Sequence, residues 1–373
     1  MKKIITLIIT ILVFIIFVGA CNRKQSSNND EQSIEEPSPT DTVPIVTITP
    51  TDVPDNNISD GVSILEYYPF KMNTKYIYKG IGNEYASYTV YNDFIDEGLG
   101  RIQTRTNNGG TETVRVLEYK DGELKIILRR DECYYRDNLI DKESSEEGEI
   151  LLKEPLIEGS KWLLPDGRER SISNLEASVE TESITYDAIE ITTEGEGGIT
   201  KDYYAKGLGL VKSVFLGDGV EIYSILDEIQ EDVPLVQQVE FYYPDQDEKI
   251  YKEIRELAFN TNEATRLVVQ EVMKEEVQKK TYLPLNGPNT KINSLYLRED
   301  NIVYIDFSEE FISEMNAGSG YEALILQSIT NTLGNYYGVE EVYITVEGKP
   351  YESGHEVKEE GETFKVNMDN VVE

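Results

Sequence analysis

The stretch Asn316–Leu333, NAGSGYEALILQSITNTL, decides how the C-terminal third of this chain folds. Gly318-Ser319-Gly320 stands directly before an apolar run, a placement shared by three different devices. A nucleophilic serine on a strand-to-helix elbow needs G-x-S-x-G, a buried strand before it and a histidine elsewhere. Here Ala317 and Tyr321 hold the outer positions, EEFISEMNAG precedes the serine, and the one histidine is His355. A phosphate loop needs a longer glycine pattern or a lysine after it, and acidic Glu322 follows instead. A helix start fits better. Ser319 as N-cap and Glu322 three residues later form the capping box S-x-x-E. Leu324, Ile325, Ser328, Ile329, Thr332 and Leu333 then give a largely apolar stripe at helical spacing, with Gly334 or Gly338 as the stop. Ser319 and Glu322 are thus expected to be structural cap residues, and the sequence assigns no catalytic, cofactor-binding or metal-binding residue.

Outward from this helix, VQQVEFYYPD reads as a strand, while IYKEIRELAF fits either a helix face or a short strand. TNEATRLVVQEVMKEE predicts a helix capped by Thr261 or Asn262, with Ala264, Leu267, Val268 and Val272 on one face. KINSLYLR and NIVYIDFS flank Glu299-Asp300 as a hairpin, and VEEVYITVEG closes as a strand. Two helices packed on a small mixed sheet follow from this order.

These segments carry a resemblance. The run from Val236 to His355 is similar to a GerMN domain, the module of the sporulation and spore-germination family and of related bacterial envelope lipoproteins. VEFYYPD, EATRLVVQEVMK, GSGYEALILQSITNTL and GVEEVYITVEGKPYESGHEV carry it, above all G-S-x-x-E before the helix, N-T-L late in it, and V-E-G-K followed by G-H. The resemblance implies a non-enzymatic module that assembles multiprotein envelope complexes, and an extended IYKEIRELAF. Some relatives hold two such domains in tandem. Here the region upstream lacks the G-S-x-x-E helix.

That upstream region, 61–230, has the texture of antiparallel strands. TKYIYKG, YASYTVYND, TETVRVLEYK, ELKIILRR, YDAIEITT and GLVKSVFL are rich in Val, Ile, Thr and Tyr, with turn signals at Asp121-Gly122, Gly195–Gly198 and Gly217-Asp218-Gly219. PFKMNTKY at Pro69–Tyr76 echoes PLIEGSKW at Pro155–Trp162, a hint of duplication.

The N-terminus reads as a secretory signal over 1–20: a basic Met1-Lys2-Lys3, an apolar run to Phe17, then Val18-Gly19-Ala20 before Cys21. This ending resembles a lipobox, which implies that Cys21 becomes the acylated first residue, carrying palmitate-type chains on the extracytoplasmic face of the cell membrane. The apolar run falls short of the roughly 20 residues that a membrane span needs. Residues 21–60 are Pro-, Ser- and Thr-rich and lack aromatic residues, which predicts a disordered tether of about 35 Å root-mean-square span. The expected order is therefore an α+β protein: signal 1–20, tether 21–60, antiparallel β-rich domain 61–230, GerMN-like α/β domain 236–357 and acidic tail 358–373.

A formal charge of -35 disfavours nucleic acid, and anionic lipids or wall polymers as non-specific partners. With Cys21 acylated, Cys133 has no disulfide partner, and a small half-buried strand residue is the expectation for it. Asp306, amid apolar neighbours in VYIDFSEEF, is the best lone acid for chemistry, although a turn-capping carboxylate into SEEF is the plainer reading. His355 lacks a second histidine for zinc. Five tyrosine pairs, among them Tyr203-Tyr204 and Tyr242-Tyr243, fit strand propensity, with one ring on each face. The expected function is non-catalytic and cofactor-free: membrane attachment through the N-terminal lipid, and assembly with an envelope protein or a second copy. A peptidoglycan- or glycan-binding or wall-active protein, acting through the β-rich domain, is the alternative, with a lipid carrier after it.

Overall fold

Alternating Val, Ile, Thr and Tyr suit a pleated surface with one buried face, and twelve such segments pair into one antiparallel sheet. The computed structural model describes residues 63–142, 148–181, 184–275 and 281–372. The expected signal, Cys21 and the tether lie outside these described residues. One helical turn, α1 (Ile64–Tyr67), precedes β1 (Lys75–Ile81), β2 (Tyr88–Asp96), β3 (Arg101–Asn107), β4 (Glu112–Lys120), β5 (Glu123–Arg130) and β6 (Glu149–Lys153). Then come β7 (Lys161–Leu163), β8 (Glu169–Glu180), β9 (Thr185–Gly195), β10 (Gly198–Ala205), β11 (Gly209–Gly217) and β12 (Val220–Gln230). Each set of six is a meander, and the two join where β1 pairs with β12. The sequence echo falls on this symmetry: Lys75-Tyr76 open β1 and Lys161-Trp162 open β7.

The two Asp-Gly turns take the mirror-image form that matches strand twist. Asp121 and Gly122 have φ of 52° and 75°, and Asp218 and Gly219 have 50° and 77°. The outer edges of the sheet, β6 and β7, meet without a backbone ladder. Trp162 Nε1 donates to the Ile150 carbonyl at 3.1 Å, Arg170 Nη1 donates to the same oxygen at 2.7 Å, and Arg170 Nη2 donates to Glu149 at 2.7 Å. The sheet is therefore curled on itself and sewn along one seam by side chains. Part of its interior is filled by Ile95, Ile102, Leu117, Leu124 and Leu152 from the first meander and Trp162, Ile172, Ile189 and Ile191 from the second.

The C-terminal elements are β13 (Leu235–Pro244), β14 (Ile250–Phe259), α2 (Thr265–Lys274), β15 (Ile292–Leu297), β16 (Ile302–Phe307), α3 (Glu310–Ser313), α4 (Ser319–Tyr337), β17 (Glu341–Val346), β18 (Lys349–Pro350), β19 (Phe364–Lys365) and β20 (Val371–Val372). IYKEIRELAF is the strand β14, and the expected hairpin is β15–β16. Two sheets form, β13-β14-β20 and a mixed one of β15-β16-β17-β18 with β19 beside β17. α4 packs on β13 of the first and on β16, β17 and β19 of the second. That double contact buries it nearly all round, so its polar residues need partners. Thr330 and Thr332 donate to the carbonyls of Leu326 and Ser328, and Asn331 exchanges bonds with the Asn367 backbone. The acidic segment after 357 is thus part of the fold. Val366 leaves room only for glycine at position 334, where a Cβ would stand 2.2 Å from its Cγ2. Gly338, with φ of 70°, stops the helix.

The capping expectations need correction. Gly318 is the N-cap of α4, with no side-chain cap bond, and Ser319 is already helical and exposed. Glu322 turns inward, is 4% exposed, and accepts from Tyr351 Oη at 2.8 Å and from the Ser353 hydroxyl. The reciprocal box fails because a buried tyrosine competes for the glutamate. α2 likewise starts at Thr265 with Ala264 as N-cap. Thr261 and Asn262 are occupied elsewhere. Its buried face is Val269, Val272 and Met273, and Leu267 is 41% exposed.

Thr261 and Asn262 bind the twelve-stranded sheet. Asn73 and Thr261 exchange two bonds, N–H to Oγ1 at 2.7 Å and N–H to Oδ1 at 2.8 Å, and Asn262 Oδ1 accepts from Ile95 N–H at 2.7 Å. Between β5 and β6, Arg136 is fully buried. It donates to the carbonyls of Asp93, Asn260 and Glu263, and lies over the rings of Phe94 at 4.1 Å and Phe259 at 4.8 Å. Arg105 ties Asp93 to the carbonyls of Cys133 and Tyr135. One apolar core runs across this junction, joining Val114, Val116, Cys133 and Leu139 to Phe241, Phe259, Val269 and Leu333. Cys133 is accordingly a fully buried loop residue rather than a half-buried strand residue, and burial pushes its thiol up.

Candidate functional site

Closing about eight strands leaves an interior that side chains fill, and more strands enclose more space. In this sheet a cavity of about 670 Å³ remains beside the packed part of the interior. Its walls follow the period of two: Tyr76 and Tyr78 on β1, Tyr88, Val90 and Asn92 on β2, Thr104 and Thr106 on β3, and Thr200, Asp202 and Tyr204 on β10. Tyr68, after α1, stands on the same wall, its ring 6.4 Å from that of Tyr204, and Tyr78 stacks on Tyr88 at 4.5 Å. Exposed Tyr85 and Arg129 mark where the cavity meets solvent.

Burial pushes the Tyr68 phenol up to about 12, and pushes Tyr76, Tyr88 and Tyr204 up as well. These phenols stay protonated, and their hydroxyls hold no hydrogen bond to any described residue. Tyr78 is different, donating to the Leu210 carbonyl at 2.8 Å. Asp202 accepts from Ser213 at 2.6 Å, and burial raises its carboxyl. Three arginines line the space. Arg170 is held by Glu149 and Thr193, and Arg129 by Asp131. Arg115, on β4 between Val114 and Val116, has a buried Nε with no hydrogen-bond partner among the described residues. It is near enough to Tyr68 and Tyr88 to ease both phenols downward against burial.

The residues singled out from sequence do not converge on this cavity. Ser319 and Glu322 lie at the start of α4, and His355 is exposed. Asp306 is a structural carboxylate, but it holds a different turn from the expected one. It accepts from Thr345 Oγ1 at 2.6 Å and Gly348 N–H at 2.8 Å after β17, and from Asn293 at 2.9 Å. Of the tyrosine pairs, Tyr203-Tyr204 puts Tyr204 inside. Tyr242 and Tyr243 are both buried, because α4 lies along β13 and the Thr332 hydroxyl receives the Tyr242 N–H. The cavity was missed because its tyrosines read as ordinary strand formers. The usable signal was polar residues alternating on the same face: Asn92, Thr104, Thr106, Arg115, Thr200 and Asp202. Among the described residues, no three His, Cys, Asp or Glu side chains form a metal-binding group.

A second surface belongs to the C-terminal part. On the outer face of β15, β16 and β17, Tyr296 stacks on Tyr304 at 5.7 Å, Tyr304 meets Tyr343 at 5.1 Å, and the Arg298 guanidinium lies 4.6 Å over Tyr304. Residues 240–352, which span all these strands and both longer helices, match the Germane family, described as sporulation and spore germination. The C-terminal third of this chain is a GerMN-like domain. Among solved structures, the first GerMN domain of the sporulation protein GerM from Bacillus subtilis is similar at 21% identity and a TM-score of 0.25. That match covers 31% of this chain and 86% of the other. The tandem GerMN domains of the same protein match at 20% identity and a TM-score of 0.26, over 35% of this chain and 46% of that one. No curated protein matches the chain. The GerMN-like domain here adjoins the curled sheet directly, with a core common to both.

Proposed function

We propose that this chain is a lipid-anchored protein of the extracytoplasmic envelope, held to the membrane by acyl groups on Cys21. Its GerMN-like domain acts without catalysis, assembling with another envelope protein or a second copy during sporulation or spore germination. The observation that carries this reading is the family match over 240–352. The outer tyrosine stack supports it, because tyrosine and arginine at a solvent-facing sheet are the residues enriched in protein interfaces.

Crosslinking in intact cells followed by purification of the tagged full chain tests this. A defined partner or a self-crosslink is expected, weakened by Tyr304→Ser; recovery of the chain alone would overturn the assembly role. Cys21→Ala should release the protein from the membrane fraction, and a variant still carrying lipid would overturn the anchor.

A further inference from the structure

We propose that the cavity inside the curled sheet binds a small saccharide bearing one anionic group, with Arg115 receiving the anion and the tyrosine walls receiving the sugar. This is independent of the assembly reading, since it concerns the other sheet and a different kind of partner. The cavity's volume of about 670 Å³ lies inside the roughly 300–1,000 Å³ range of small-molecule sites. Its walls combine ring faces with hydroxyls, on Tyr68, Tyr76, Tyr88 and Tyr204, that bond no described residue. A sugar matches both halves of that surface: its C–H face packs on a ring while its hydroxyls bond phenols and threonines. An acyl chain would cover the same hydroxyls and leave them unpaired, which is unfavourable.

The anionic group follows from the arginines. Glu149 holds Arg170 and Asp131 holds Arg129, whereas Arg115, which Asp131 attracts only through space, presents a buried Nε with no hydrogen-bond partner among the described residues. A guanidinium makes its strongest hydrogen bonds to carboxylate or phosphate. The chain's charge of -35 does not prevent this, because repulsion between exposed charges is screened within about 8 Å at physiological salt while the contact with Arg115 is local. Asp202, with Ser213, offers a further polar pair for a sugar hydroxyl.

Isothermal titration of the full chain in detergent would use four probes: N-acetylmuramic acid, N-acetylglucosamine 6-phosphate, N-acetylglucosamine and palmitate. At least one acidic sugar should bind at least about tenfold more tightly than N-acetylglucosamine; the first two probes separate a carboxylate from a phosphate. Arg115→Met should reduce acidic-sugar affinity to that of the neutral sugar, and Arg115→Lys should restore part of it. Absence of binding by both acidic sugars, or preferential binding of palmitate, overturns the proposal. So does full acidic-sugar affinity in an Arg115→Met chain that melts like the parent. The comparison of acidic with neutral sugar on the unaltered chain decides the matter even if Arg115→Met does not fold.

Discussion

Glu322 sits in the first turn of α4 with its carboxylate inside the domain, where Tyr351 and Ser353 donate to it. Ser319, three residues earlier, is exposed and makes no cap bond. Ser319→Ala should therefore shift stability by less than about 0.5 kcal/mol. Glu322→Ala leaves the buried Tyr351 hydroxyl without its acceptor and should cost about 2–3 kcal/mol. Urea unfolding of the two variants checks this, and equal losses would contradict it. The motif S-x-x-E was legible as a helix start; the competitor Tyr351, 29 residues on, was not. Asp137, next to Arg136, is half-buried. Burial pushes its carboxyl up to about 6, above the roughly 3.9 of an unfolded chain. The folded state thus holds the proton more tightly, so ionisation opposes folding above about pH 6 and the opposition fades as pH falls towards about 4. Asp137→Asn should raise neutral-pH stability by about 1–2 kcal/mol, discounted for its partial exposure. Unfolding at both pH values tests it: a gain that persisted at the acid end would refute the assignment.

Among the elements, hairpins were the most legible. Asp-Gly between alternating apolar runs locates a two-residue turn by local chemistry alone, and Asp121-Gly122 and Asp218-Gly219 lie where that chemistry requires. The repeated KY and KW starts even marked the first strand of each meander. The loop between β5 and β6 carried no such signal. RRDECYYRD has no period, and its partners are remote: Glu263 and Asn260 lie 127 and 124 residues beyond Arg136. Yet this loop ties the curled sheet to the GerMN-like domain. Arg136→Ala removes a buried cation from beside Asp93 and frees three carbonyls, and should cost about 3–5 kcal/mol. Chemical denaturation gives the number directly; a loss under about 1 kcal/mol would mean that the junction is held by apolar packing alone.

For the whole molecule, the texture change near residue 230 marked a real change of fold, from meanders to helices on sheets. What composition cannot convey is that the core continues across it, because that depends on which strand faces are turned together. The seam is a similar case: nothing local in Trp162 or Arg170 announces that both reach the Ile150 carbonyl. With one core, the β-rich part and the GerMN-like domain should unfold together. Trp162 fluorescence, reporting the sheet, and far-ultraviolet dichroism of α4 should trace coincident curves, and separated midpoints would contradict the common core. Val114 and Val116 point into the common core, while Arg115 between them lines the cavity. Inserting or deleting one residue ahead of this triplet would swap the valines with the arginine, putting a charge into the core and aliphatic groups onto the cavity wall. Evolution can therefore substitute along β4 but cannot shift its frame, and descendants of this protein should vary in length at their hairpin tips and never within that strand.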